Sequence, residues 1–148
     1  MIVVDDTPEC MNALRFAARR AAKTGGGVVM LYVIPPEEFQ HWVGVGEIMR
    51  AEARAAAEER LQFLSDEVNS VAGIIPEYVI REGVVRDEVI AHIDEDNDIG
   101  VLVLGAGESA EGPGPLVSAL AGRMSGGLHV PVTVVPGGLT LERIDAIC

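Results

Sequence analysis

Apolar and polar positions alternate along the chain with two different periods. Met1–Val4 is a short, mostly β-branched opening that breaks at Asp5-Asp6-Thr7-Pro8. Met11, Leu14, Ala17, Ala18 and Ala21 then recur at helical spacing, with Arg15, Arg19, Arg20 and Lys23 on other faces. Thr7 before Pro8 predicts the helix start, a capping residue and then proline at the first position. Gly25-Gly26-Gly27 predicts its end. Val28–Ile34 is a continuous apolar run of the kind buried on both faces of a parallel sheet, and Pro35-Pro36 closes it. Glu37–Gly46 reads as a loop holding His41 and the single tryptophan, Trp42.

The same alternation continues to the end of the chain. A long helix is predicted over about Glu47–Val71, with Ala53, Ala57, Leu61, Leu64 and Val68 along one stripe. Ile75–Arg81 reads as a third strand and Val84–Glu95 as a third helix, with Val85, Val89 and Ile93 inward. Ile99–Gly105 is a fourth strand, Gly105–Pro115 a glycine-rich loop, Leu116–Arg123 a helix and Val130–Pro136 a fifth strand. Strands alternating with helices of this length predict an α/β fold, a parallel sheet with helices on both faces. In such folds ligands bind beyond the carboxyl ends of the strands, where the strand order reverses. The residues to read are therefore Asp5-Asp6-Thr7, Ile34-Pro35, Arg81-Glu82-Gly83 and Gly105–Ser118.

Composition narrows the function. The 148 residues suit one domain, and 49% hydrophobic content supplies a core, built on aliphatic residues because aromatics are only 4%. The net charge of -12, with Lys23 the single lysine, excludes a general nucleic-acid binder and disfavours anionic lipid. No apolar run approaches the roughly 20 residues of a membrane-spanning helix, and no secretory signal pattern opens the chain. Cys10 and Cys148 form neither a disulfide framework nor a metal-ligand spacing, so they read as free thiols of a cytoplasmic protein.

Several of these segments, in this order, carry a family likeness. Ile2-Val3-Val4-Asp5-Asp6-Thr7 with Ala13-Leu14 and Ala17-Ala18 resembles the opening of a universal stress protein domain. Leu31-Tyr32-Val33-Ile34-Pro35 resembles its second strand, Gly83 the glycine before its third helix, and Val101-Leu102-Val103-Leu104-Gly105 the strand that leads into its nucleotide loop. Val130-Pro131-Val132-Thr133-Val134-Val135-Pro136 is similar to its closing strand. The likeness spans about residues 2–136. It implies a doubly wound five-stranded parallel sheet in the order 3-2-1-4-5, of the adenine nucleotide alpha hydrolase-like kind, over residues 1–136. Residues 137–148 form a C-terminal tail, a departure from family members, which usually end soon after the last strand. The resemblance also implies a homodimer through the last strand. An apolar Val130–Val135 edge without protecting charges agrees with that.

Many members of that family bind ATP, and the resemblance places the adenosine against Asp5, Asp6, Thr7 and the backbone of Val33. Its phosphate loop has the pattern Gly-x-x-Gly, nine residues, then Gly-Ser or Gly-Thr. Here the first glycine is Gly105, the second position holds Glu108, and the final pair falls on Ser118-Ala119, with Gly107, Gly112 and Gly114 offering a shifted loop. Glycines let a backbone approach phosphate closely, and Pro115 opening a helix would turn the amides of residues 116–118 toward an anion. Against this, Pro113 and Pro115 lack amide hydrogens, Glu108 and Glu111 are negative, and Arg123 is the nearest cation in sequence. A magnesium ion would bridge acidic groups and phosphate. Asp5 also has a reading as a cap for the following helix, a place that Asp6 or Thr7 could equally take.

Two functions therefore stand. One is a regulatory module of the stress response that binds ATP or another adenine nucleotide. The other is a dimeric interaction protein of the same fold that binds none. Slow ATP hydrolysis would need a base from Asp5, Asp6 or Glu108, and no spacing singles one out. Glu88, His92 and Asp96 share a predicted helix face that suits a solvated charged surface better than a metal. Cys10, near a helix start, reads as a core thiol sooner than an activated one. Leu141, Ile144 and Ile147 at helical spacing predict a tail that docks on its own sheet or on the partner.

Overall fold

A computed structural model of the protein describes residues 1–36 and 45–148, so the predicted loop with His41 and Trp42 lies outside the described residues. The β-branched runs form β1 (Ile2–Val4), β2 (Val29–Ile34), β3 (Glu77–Glu82), β4 (Leu102–Ala106) and β5 (Val132–Pro136). Between them lie α1 (Glu9–Thr24), α2 (Val45–Ala72), α3 (Val85–Glu95) and α4 (Pro115–Val117), and α5 (Leu141–Ile147) follows. All strand pairs are parallel and the sheet order is β3-β2-β1-β4-β5, as the family likeness implied.

Side chains that alternate across a strand feed two cores. Ile2 and Val4 of β1 join a cluster with Leu14 and Ala18 of α1, Leu61 and Leu64 of α2, and Ile144 of α5. Val3 points to the other face, with Leu31, Leu104, Val89 and Ile93 of α3, and Leu120. The sheet is thus covered on both sides, which suits the near-continuous apolar character of β2.

Local departures from the sequence expectation have physical causes. α1 starts at Glu9, and its Pro8 position has no side-chain cap. Asp5 supplies the turn instead: its Oδ1 accepts the Thr7 backbone N–H at 2.9 Å and the Thr7 hydroxyl as well. α1 ends as expected at Gly25, whose φ of 70° is the left-handed conformation that glycine adopts without strain. The predicted helix over 116–123 holds only one α turn, Pro115–Val117. From Ser118 the chain winds as a wider π-type turn, with the Met124 N–H bonded to the Ala119 carbonyl, and it kinks at Gly122, whose backbone is not helical.

The tail docks on α1. Asn12 Nδ2 donates to the carbonyls of Gly137 (2.9 Å) and Leu139 (2.7 Å), which aims the chain back along the helix. Thr140 Oγ1 caps α5 by accepting the Arg143 N–H. Ile144 is fully buried, whereas Leu141 and Ile147 stay partly exposed, so only the centre of the predicted stripe enters the core. Arg15 grips Asp145 through two hydrogen bonds, 2.8 and 2.6 Å, and Arg19 adds a third at 3.1 Å. Hydrogen bonding to Arg15, with Arg19, holds the Asp145 carboxyl at about 2, below its ordinary 3.8. Because the folded value is the lower one, the unfolded chain binds the extra proton between these values. The contribution of this clamp is therefore complete above about pH 4 and lost as pH falls toward 2. Thermal melts of Asp145→Asn and the native chain should differ most at neutral pH and converge between pH 4 and 2.

Candidate functional site

The central strand β1 pairs with β2 only as far as Val4 opposite Tyr32, while β2 continues alongside β3 to Ile34. On the other side β4 runs on with β5 to Ala106 opposite Pro136. A crevice opens beyond the end of β1, at the point where the strand order reverses. It measures about 750 Å³. Its walls are largely apolar: Val33, Pro35, Val84, Leu104, Leu116 and Val117 among them. A second hollow of about 650 Å³ lies at the amino ends of the strands, beside Gly26, Gly100, Asp96 and Asp98, and holds none of the sequence-predicted residues.

Of those residues, Asp5, Asp6, Thr7, Val33, Gly105, Gly114 and Ala119 line the crevice together. Gly107, Gly112 and Ser118 do not. The Gly107 N–H donates to the Pro113 carbonyl and the Gly112 N–H to the Ser109 carbonyl, both at 3.0 Å, so the loop is closed on itself. The Ser118 N–H is likewise taken by the Gly114 carbonyl. Gly105 has a packing reason to be glycine. A Cβ there would stand 2.7 Å from the Glu9 backbone carbonyl, because the first turn of α1 lies directly on the end of β4.

The acidic groups are held in different ways. Asp5 is tied to Thr7 in the turn before α1 and does not cap the helix, and it also lines the crevice. Asp6 accepts from the Tyr32 hydroxyl at 3.2 Å and lies 3.6 Å from Arg60 Nε, which also donates to the Asp5 carbonyl. Glu108 turns away, its carboxylate lying over Gly138. Of the three carboxylates considered as hydrolytic bases, Asp5 and Asp6 line the crevice and Glu108 does not.

Two lining residues were not singled out from the sequence. Glu9 lines the crevice, with its carboxylate close to Gly107. An acid in the first turn of a helix reads as a complement to the helix dipole, which hides such a role. Arg86, in the first turn of α3, is the cation lining the crevice among the described residues, and Arg123 is not part of it. The signal was its place just after Gly83, at the carboxyl end of β3.

Chemistry outside the crevice is structural. Arg81 Nε donates to Glu88 (2.7 Å) and its Nη1 to Glu95 (2.8 Å), and Nη1 lies 3.3 Å from His92 Nδ1. The hydrogen bonds raise the Arg81 pKa and lower that of Glu95. The α3 face is thus an ion-pair surface, and no cluster suited to a metal exists among the described residues. Cys10 and Cys148 are free and buried, and burial pushes the Cys10 thiol up, opposite to activation by a helix dipole. No helix among the described residues is long and apolar enough to cross a membrane.

A family model described as "Universal stress protein family" matches residues 1–136. Among solved structures, the universal stress protein UspA from Lactobacillus plantarum superposes with a TM-score of 0.70 at 19% identity, covering 90% of this chain and 95% of that one. A universal stress protein family member from Burkholderia pseudomallei gives 0.67 at 18%, covering 91% and 95%. A universal stress protein in complex with cAMP gives 0.55 at 15%, covering 93% and 96%. No curated protein sequence matches significantly.

The packing at Gly105 yields a direct test. Gly105→Ala forces the first turn of α1 off β4 and is expected to destabilise the fold by about 1–3 kcal/mol, measured by urea unfolding.

Proposed function

Because this chain belongs to the universal stress protein family, we propose that it is a cytoplasmic, dimeric regulatory module of the stress response whose crevice beyond β1 binds an adenine nucleotide or nucleoside. The observation that carries the reading is the crevice itself. Its volume falls inside the roughly 300–1,000 Å³ of small-molecule sites, and its apolar walls suit the faces of a flat base. The end of β1 brings Asp5 to the same space as the end of β2 at Val33. Asp5 would accept hydrogen bonds from the ligand, and the Val33 backbone would face the base edge. The relative in complex with cAMP supports an adenine ligand in this fold.

The closed loop after β4 favours a second reading, an interaction module that binds no nucleotide. Native mass spectrometry of the purified chain, alone and with adenosine or ATP and magnesium, separates the two: an adduct of one ligand per subunit supports the first. Asp5→Asn keeps an acceptor for Thr7 and removes the charge, so it should weaken adenosine by about tenfold without unfolding the chain. Equal affinity for both proteins would count against Asp5 as a contact.

The dimer rests on β5. It is an edge strand, bonded to β4 alone, with Val134 partly exposed and no charged side chain in Val132–Pro136. An unprotected edge of this kind is completed by a second copy. Val134→Lys should shift a dimer to monomer in sedimentation velocity, whereas a native chain that is monomeric at high micromolar concentration removes the proposal.

A further inference from the structure

We propose that the crevice selects an adenine nucleoside carrying no more than one phosphate and rejects the triphosphate. This rests on the reading above that an adenine ligand enters the crevice at all. The argument concerns the end of the crevice formed by the loop after β4, where a polyphosphate would have to continue.

Three of the loop's backbone donors are already used within it. Binding phosphate through backbone requires N–H groups aimed at it. The amides of Gly107, Gly112 and Ser118 are bonded to Pro113, Ser109 and Gly114 carbonyls. Pro113 and Pro115 have none.

The charge there has the wrong sign. Glu9 projects along the inner side of the loop, its Oε1 3.3 Å from where a Cβ on Gly107 would stand and its Cγ 3.1 Å from that of Gly105. The Glu9 backbone is packed on Gly105, which fixes where this side chain starts. Asp5 and Asp6 also line the crevice. The guanidinium of Arg60 is already directed to Asp6 and the Asp5 carbonyl, and it does not line the crevice. That leaves Arg86 facing the ligand among the described residues. One cation matches one phosphate. It stands at the start of α3 and is itself paired with Asp87 at 3.1 Å. No cluster that would hold magnesium independently of the ligand exists among the described residues.

The test is calorimetry on the full chain with adenosine, AMP and magnesium ATP. Adenosine and AMP should each bind at least about tenfold more tightly than ATP. Glu9→Gln removes the like charge beside the loop and should improve ATP relative to adenosine by about tenfold. ATP binding as tightly as adenosine to the native chain overturns the selectivity and leaves an adenine site in place. Binding of none of the three overturns the adenine reading itself. The expected ranking with no gain for ATP relative to adenosine in Glu9→Gln overturns the role given to Glu9. Should Glu9→Gln fail to fold by circular dichroism, the ranking of the three ligands on the native chain decides alone.

Discussion

The first turn of α1 rests on the end of β4, with the Glu9 carbonyl where any side chain at position 105 would begin. Much else depends on that contact. It sets how close α1 lies to the sheet and keeps the helix start beside the central strand. The turn from β1 into α1 must then be made within Asp5–Pro8, and the Asp5 carboxylate closes it on Thr7. The same approach carries the Glu9 side chain against the loop after β4 and against Gly137, where the chain leaves β5. A single backbone contact thus ties together the helix, the crevice floor and the loop that borders it.

The crevice is a consequence of unequal strand lengths. β1 stops at Val4 while its neighbours continue, and no side chain from β1 fills the space above it. The apolar walls come from residues that also complete the core on the α3 face, such as Val33, Leu104 and Val117. Acidic groups gather at the mouth because the turn after β1 and the first turn of α1 both supply them. Arg60 of α2 compensates the charge of Asp6. An apolar slot with an acidic rim fits a neutral base and sugar better than a polyanion.

The tail extends this logic to the far side of α1. Arg15 and Arg19 would be surface charges on a bare helix, and α5 converts them into a clamp around Asp145. Asn12 fixes the route of the chain by bonding two carbonyls in the connection. The segment beyond residue 136, outside the match to the family model, therefore packs into the same core as β1 and α2.

The amino-acid order alone determined the element sequence and the parallel sheet, because apolar periodicity is a local property and survives in the fold, while the likeness to the universal stress protein family rested on the motifs at the strand ends. It also marked the end of β1 and the glycine-rich loop as the residues to read, and parts of both line the crevice, and it identified the two cysteines as unpaired thiols. What tertiary structure decided were the contacts between distant segments. The sequence could count glycines in the loop, but only the fold shows that the amides of Gly107 and Gly112 are used within it. Glu108 falls on the second glycine position of the loop pattern, yet it lies over Gly138, and the acid that lines the crevice beside the loop is Glu9, from another element. Arg86 rather than Arg123 faces the crevice, since α3 starts at its rim while the π-type turn from Ser118 carries Arg123 away. Charge and donor positions at a site built from four chain segments depend on packing distances, and no one segment contains those.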